Sequence, residues 1–339
     1  NQYRRCSRCS GHARQSGVDR MSHYVPLIDV MRGDLVESQH FGAVAYIGST
    51  GNLEAALGSV NVPMYPRSTV KLMQTAGMVS LGLDLEPRLL ALVASSHSGG
   101  DVHVAGVQEV LAKFNLTETS LKCTPFMPSG TAERALHKKR DGKPDSLHAD
   151  CSGKHSGFLA TCVINGWSVE DYMSPEHPLQ QAMKKAIEQA SGDTADHVTV
   201  DGCGAPLWSI SLAGLARSYH RAVVETDSAL HRVADAMRTY PEMVAGPHRE
   251  ATVAMQSVAG VVAKDGADGV FVAARADGRS VAIKIADGGR RGLTASVAAL
   301  LHAWGADDVS ALPLTPPQGA GRTVGELVPT HDFSAAIAG

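Results

Sequence analysis

The chain has 339 residues and a mass of 35.6 kDa, with 44% hydrophobic and 19% charged residues. That balance supplies a sizeable core and an ordinary globular surface. A formal net charge of −3 gives no reason to expect nucleic acid or an anionic membrane as partner, and no apolar run is long enough to span a bilayer.

Residues 1–20 hold five arginines, no aliphatic run and no methionine, and patterned sequence begins only after Met21. Without a hydrophobic h-region the segment reads as an appended leader or an over-extended gene start, not a secretory signal. Cys6, Cys9 and His12 form a Cys-x-x-Cys-x-x-His run, but no second ligand pair follows at zinc-finger spacing. The other cysteines, Cys123, Cys151, Cys162 and Cys203, are expected as free thiols in a reducing, cytoplasmic compartment.

Gly42 to Gly48 reads as a buried strand, Thr50-Gly51-Asn52 as a turn, and Leu53 to Val62 as a returning strand. Next comes Pro66-Arg67-Ser68-Thr69-Val70-Lys71, which contains Ser-x-x-Lys. The apolar run Leu72 to Val79 follows and predicts a buried helix with Ser68 in its first turn. Residues three apart share a helix face, so Lys71 stands beside the Ser68 hydroxyl. A serine is a poor nucleophile until a neighbouring base takes its proton, and a lysine kept neutral by burial can be that base. A serine cap with an exposed lysine one turn on would give the same spacing, so the rest of the chain must decide. This is the nucleophile arrangement of penicillin-binding proteins and serine β-lactamases.

From Glu86 to about Tyr240 the signals are mainly helical, with Val107 to Phe114, Leu179 to Ala190, Leu207 to Tyr219 and Ala229 to Met237 as examples. Val270 to Ala274 and Ser280 to Ile285 are β-rich runs joined by Asp277-Gly278, a hairpin signal. Leu293, Val297, Leu300, Leu301 and Trp304 recur at helical spacing, and Gly305 stops them. Strands thus lie at both chain ends with helices between. The expected fold is α/β (α+β): an antiparallel sheet from residues 24–65 and 255–333, packed with helices, and a helical section over 68–250. Residues 21–333 are expected as one domain and 334–339 as a tail.

A serine β-lactamase arrangement also needs a second hydroxyl from the helical section and a lysine on a late strand. Ser96, in Ser95-Ser-His-Ser-Gly-Gly100, and Lys284, in Val281-Ala-Ile-Lys-Ile285 before Asp287-Gly288-Gly289, stand in that order. Asp150-Cys-Ser-Gly-Lys-His-Ser-Gly157 and Val200-Asp-Gly-Cys-Gly-Ala-Pro206 are loop-to-element joints dense in glycine, suited to close backbone approach.

Together Pro66-Arg-Ser-Thr-Val-Lys71, Ser96-His-Ser-Gly99, Cys151-Ser-Gly-Lys-His155, Asp201-Gly-Cys-Gly-Ala-Pro206 and Lys284 before Asp287-Gly288 resemble the L-asparaginase II family of the rhizobial, thermolabile type. The similarity runs in order over Tyr24 to Asp332. It implies a serine β-lactamase-like fold, hydrolysis of L-asparagine to L-aspartate and ammonia, and a homodimer. Carried over, it implies Ser68 with Lys71 and Ser96 with Lys284 as catalytic pairs. It implies Arg67, His97, Asp201 and Ala286 at the substrate, and one zinc on Cys151, Lys154 and Cys203. Zinc would order the loops or hold the substrate's α-groups, since Ser68 already supplies the nucleophile. The family usually has Glu where this chain has Gly100. Glutaminase or another Ser–Lys acyl transferase, and a zinc-binding relative without activity, are the alternatives.

Overall fold

The computed structural model describes residues 24–338; the leader and its Cys6, Cys9 and His12 lie outside the described residues. Strands from both chain ends meet in one seven-stranded sheet. Its order is Leu327–Pro329, Val25–Arg32, Leu35–Ile47, Ser280–Ile285, Val270–Ala274 and Val262–Gly266, with Leu53–Leu57 also paired to Leu35–Ile47. Every ladder is antiparallel. The hairpin expected at Asp277-Gly278 is present, with Gly278 at φ +94°, where glycine carries no steric penalty. The central strands Val270–Ala274 and Ser280–Ile285 are almost wholly buried, which accounts for their continuous apolar runs.

The helix Leu212–Val224 packs over the central strands and is pinned there by Ser280, whose hydroxyl donates to Ala216 O at 2.8 Å. The section between the sheet's two halves is helical, including Pro87–Val93, Asp101–Lys113, Ser152–Asn165, Pro178–Ser191 and Ala229–Thr239. Three local expectations are corrected. The strand begun at Leu53 ends at Leu57, because Gly58 turns the chain at φ +67°. Leu207 to Ser211 is extended, not helical, because the glycine turn after Asp201 folds Pro206–Trp208 back onto Val198–Val200. That helix begins at Leu212, where the Ser211 hydroxyl caps Gly214 N–H at 2.9 Å. Residues 334–338, expected as a tail, lie in the helix His331–Ala338, whose Phe333 and Ile337 are buried.

The helix Ser152–Asn165 lies against Pro87–Val93 at backbone distance. A Cβ on Gly153 would stand 2.2 Å from Leu92 O. Gly153 is therefore the residue that allows the Cys-Ser-Gly-Lys-His turn to reach its place. Gly153→Ala should lower stability by about 1–3 kcal/mol, as overpacking does. Urea unfolding of the two proteins checks this, and an unchanged midpoint contradicts it.

Candidate active site

The turn that carries Ser68 is a 3₁₀ turn, Arg67–Val70, running straight into the helix Lys71–Ser80. Arg67 holds φ +53°, a left-handed conformation uncommon for a residue with a side chain. Two carboxylates hold it: Arg67 Nε donates to Asp201 Oδ1 at 2.8 Å, and the guanidinium also pairs with Asp268. The strain therefore sits on the residue before Ser68 and is fixed by charge pairing from two loops. The edge strand Val262–Gly266 passes close beside this turn. A Cβ on Gly266 would lie 3.1 Å from Pro66 O and 3.2 Å from Thr69 Cγ2.

Ser68 and Ser96 line one cleft of about 340 Å³, together with Asp150, Arg249, Asp265, Gly266, Ala267, Asp268 and Arg290. Lys71 is buried three residues after Ser68, and its amine donates to Ser95 O at 2.6 Å and Ser96 Oγ at 2.9 Å. Of the two expected hydroxyls it bonds that of Ser96; it makes no hydrogen bond to Ser68. Lys284 stands elsewhere. Its amine donates to Asp268 O and Ile285 O, both at 2.6 Å, and makes no hydrogen bond to Ser96. Another lysine, Lys264, lies fully buried on the edge strand, next to the cleft residues Asp265 and Gly266. Its amine donates to Asp265 O at 2.7 Å. Burial pushes it down to about 8, with the nearby charges of Lys71 and Arg249 adding to the fall and Asp265 opposing it. Lys264-Asp265-Gly266 at the end of a strand is the signal that could have identified it: a lysine ahead of a small residue, as in Lys-Thr-Gly.

Asp265 is buried beside Lys264. Burial raises its carboxyl, but the Arg249 and Lys264 charges outweigh that and hold it ionised well below the usual range. Arg249 pairs with Asp265 directly, and the buried Glu250 next to it accepts from Arg290 Nη2 at 2.5 Å and Thr294 Oγ1 at 2.7 Å. None of these groups was read from the sequence. They come from positions far apart along the chain, and single charged residues carry no periodic signal.

Two expected substrate contacts are spent inside the protein. Gly99 N–H donates to His97 Nδ1 at 3.1 Å, so the other nitrogen, Nε2, carries the proton and donates to Ser152 Oγ at 2.8 Å. Burial, with His103 and Lys71 nearby, keeps that imidazole neutral. His97 therefore braces the Ser96 loop. Ala286 N–H donates to Phe41 O at 2.8 Å and cannot serve an oxyanion. Ala267, not Ala286, lines the cleft with Ser68. Beside Gly100, the departure from the family pattern, stands the carboxylate of Glu133: a Cβ there would meet Glu133 Cγ at 3.5 Å, and Ser98 Oγ donates to it at 2.8 Å.

Cys151, Lys154 and Cys203 converge as a second cluster. Lys154 Nζ is 3.3 Å from Cys203 Sγ, and ligand atoms of Cys151, His155 and Cys203 lie within 4.8 Å of one another. The Cys151 thiol and the Lys154 amine hold Cys203 well below the usual thiol range, as the thiolate of the group, while Cys151 is raised by its hydrogen bonds to Cys123 and Cys203 and by burial. His155 is a member the sequence reading missed, although Cys151 and His155 are one helical turn apart. Its Nδ1 is 2.8 Å from Tyr172 Oη, and its Nε2 is buried without a partner. Two thiols, an amine and an orphaned imidazole nitrogen fit a borderline divalent metal such as zinc.

The family model described as L-asparaginase II matches residues 28–328. No curated protein matches the chain. Among solved structures, a β-lactamase from Mycobacterium bovis is 13% identical with a TM-score of 0.40, over 74% of this chain and 89% of that one. A simvastatin synthase from Aspergillus terreus is 14% identical with a TM-score of 0.37, over 72% and 85%. A Bacillus subtilis glutaminase, solved as a covalent complex with 5-oxo-L-norleucine, is 14% identical with a TM-score of 0.33, over 76% and 84%. No helix among the described residues is long and apolar enough to cross a membrane.

The burial of Lys264 has a consequence for stability. Below about pH 8 the amine is protonated in both the folded and unfolded chain, and burying the ammonium costs stability in full. Between about 8 and the ordinary 10.5, only the unfolded chain still binds the proton, so stability rises with pH there. Lys264→Met should flatten that rise. Urea midpoints measured across this window test it, and equal slopes for both proteins contradict it.

Proposed function

The chain belongs to the L-asparaginase II family and is an amidohydrolase, and from that premise we propose that it hydrolyses L-asparagine through an ester on Ser68. The observation that carries the reading is the buried Lys71 amine, 2.9 Å from Ser96 Oγ and one turn from Ser68, both of which line the same cleft. In this mechanism Ser68 Oγ attacks the side-chain amide carbon of asparagine and its proton passes to Lys71. The C–N bond breaks as Ser96 relays a proton to the departing ammonia. Water then attacks the aspartyl ester, and aspartate leaves with Ser68 restored. The Ser68 and Ala267 N–H groups are the proposed donors to the oxyanion.

The cleft's charges support an amino-acid substrate. Arg249 and Arg290 offer guanidinium groups to an α-carboxylate, and Asp150 and Asp268 offer carboxylates to an α-ammonium. Arg67 and Asp201 act on the turn and its neighbouring loop, as a positioning pair. Lys284 fixes the Asp268 loop through its carbonyl, so we assign it a supporting role.

Zinc would be held by Cys151, His155 and Cys203, with Lys154 as the amine donor beside them. When bound it supplies a fixed positive charge and a cross-link that orders the Cys151 and Cys203 loops. The reading extends to a homodimer acting in the cytoplasm, which sedimentation at one chain mass would refute for the dimer.

Ser68→Ala should lower ammonia release from asparagine by a factor of about 10³ or more without changing the melting temperature. Lys71→Met and Lys264→Met should each lose a factor of about a hundred or more, whereas Lys284→Met keeps most of the activity. Comparable activity in the Lys264 and Lys284 variants would overturn the assignment. Faster release from glutamine than from asparagine would move the substrate.

Deprotonation of Lys264 near pH 8 removes a positive charge close to the amine that takes the Ser68 proton, so kcat/KM should climb through about pH 8. A profile that peaks near pH 6 and falls on the alkaline side would point to a carboxylate or histidine base instead.

A further inference from the structure

His137, Asp145 and His148 form a cluster that the amide chemistry does not use. One ligand atom from each lies within 4.8 Å of the others. His148 Nδ1 is 2.7 Å from Asp145 Oδ2, and His137 Nε2 is 3.9 Å from the same oxygen. His137 Nε2 is also 2.9 Å from Lys143 O. The two rings are tilted by 48° with centroids 4.0 Å apart. Two imidazoles and a carboxylate therefore converge, with a carbonyl oxygen beside one of the imidazoles. Around a tetrahedral ion with bonds of about 2.1 Å, neighbouring donor atoms stand about 3.4 Å apart. The observed spacings bracket that value.

We propose that His137, Asp145 and His148, with the Lys143 carbonyl, form a second site for a borderline divalent transition-metal ion, separate from the thiol cluster. The ion takes the place of the proton that His137 Nε2 donates to Lys143 O and of the one shared between His148 and Asp145. The surroundings are built for it. A Cβ on Gly142 would lie 2.3 Å from His137 Nε2, so this glycine makes room for the ring. Asp145 is pinned by paired backbone bonds with Phe126, at 3.1 and 3.3 Å, and its Oδ1 accepts from His148 N–H at 2.8 Å. The basic run Lys138-Lys139-Arg140 stands against a cation here, but Arg140 is drawn off by Asp101, with hydrogen bonds of 2.8 and 3.1 Å. Nitrogen and oxygen donors without thiolate favour zinc, cobalt, nickel or copper over calcium or magnesium.

The position gives the ion something to act on. A Cβ on Gly99 would meet His148 O at 3.1 Å, Gly130 N–H donates to Ser98 O at 3.0 Å, and Ser129 Oγ donates to His97 O at 3.0 Å. The segment that carries the site therefore lies over the Ser96 loop. An ion clamped between the helix Thr131–Lys139 and the loop after it stiffens that cover.

The test is metal binding by the full chain, with zinc for stoichiometry and cobalt(II) for ligand type. The double variant H137A/H148A should hold one equivalent less than the unaltered chain. The double variant C151S/C203S should lose a different equivalent. It should keep a cobalt spectrum with weak visible bands and without the intense near-ultraviolet bands of thiolate coordination. Adding H137A/H148A to it should abolish the remaining spectrum. Equal metal content in the unaltered chain and H137A/H148A overturns the site, and that comparison decides the matter even where C151S/C203S does not fold.

Discussion

Two buried lysine amines close to one serine-lined cleft are the constraint around which this protein is arranged. Lys71 and Lys264 are both withdrawn from water, and the charge of Lys71 bears on Lys264. Burying an ammonium is costly unless it is paired, or unless it gives up its proton. The fold does some of each. Lys71 is met by the Ser95 carbonyl and the Ser96 hydroxyl, and Lys264 by the Asp265 carbonyl and, at 3.7 Å, the Asp265 carboxylate. The remaining cost appears as a lysine that titrates near 8 instead of 10.5.

The rest of the architecture brings these groups together from distant parts of the chain. Lys71 comes from the helix that follows the N-terminal strands, and Lys264 from the C-terminal edge strand. Gly266, with no Cβ, lets that strand lie against the nucleophile turn. Arg67 ties the same turn to the Asp201 loop, two residues before Cys203. The proposed metal cluster and the serine are thus mechanically joined: a change in the Cys203 loop reaches Ser68 through one guanidinium. The Ser96 loop is braced in turn through His97, which bonds Ser152 at the start of the helix Ser152–Asn165.

Much of the fold was legible in the sequence because its signals are periodic. Alternating and continuous apolar runs marked the strands, and Asp277-Gly278 marked the hairpin. The Ser-x-x-Lys helix and the two glycine-rich joints were also legible, because close backbone approach demands particular residues at particular places. Lys284, expected to pair with Ser96, bonds the Asp268 and Ile285 carbonyls instead. Lys284 and Lys264 both sit in apolar strands ahead of a glycine, and only the pairing order puts Lys264 on the edge strand that passes the Arg67–Val70 turn. The family resemblance put His97 and Ala286 at the substrate. Each spends its hydrogen bonds on the protein, which spacing alone cannot reveal. Arg249, Asp265 and Glu133 were invisible for the complementary reason: an isolated charged residue has no pattern until the fold gives it a partner.

The central claim is that Ser68 forms the covalent bond, and rapid acid quenching during turnover of asparagine, followed by peptide mass spectrometry, tests it most directly. The account predicts that the peptide containing Ser68 carries one aspartyl group, and that the label disappears in Ser68→Ala. A label on Cys151 or Cys203 instead, or full turnover by Ser68→Ala, would contradict it.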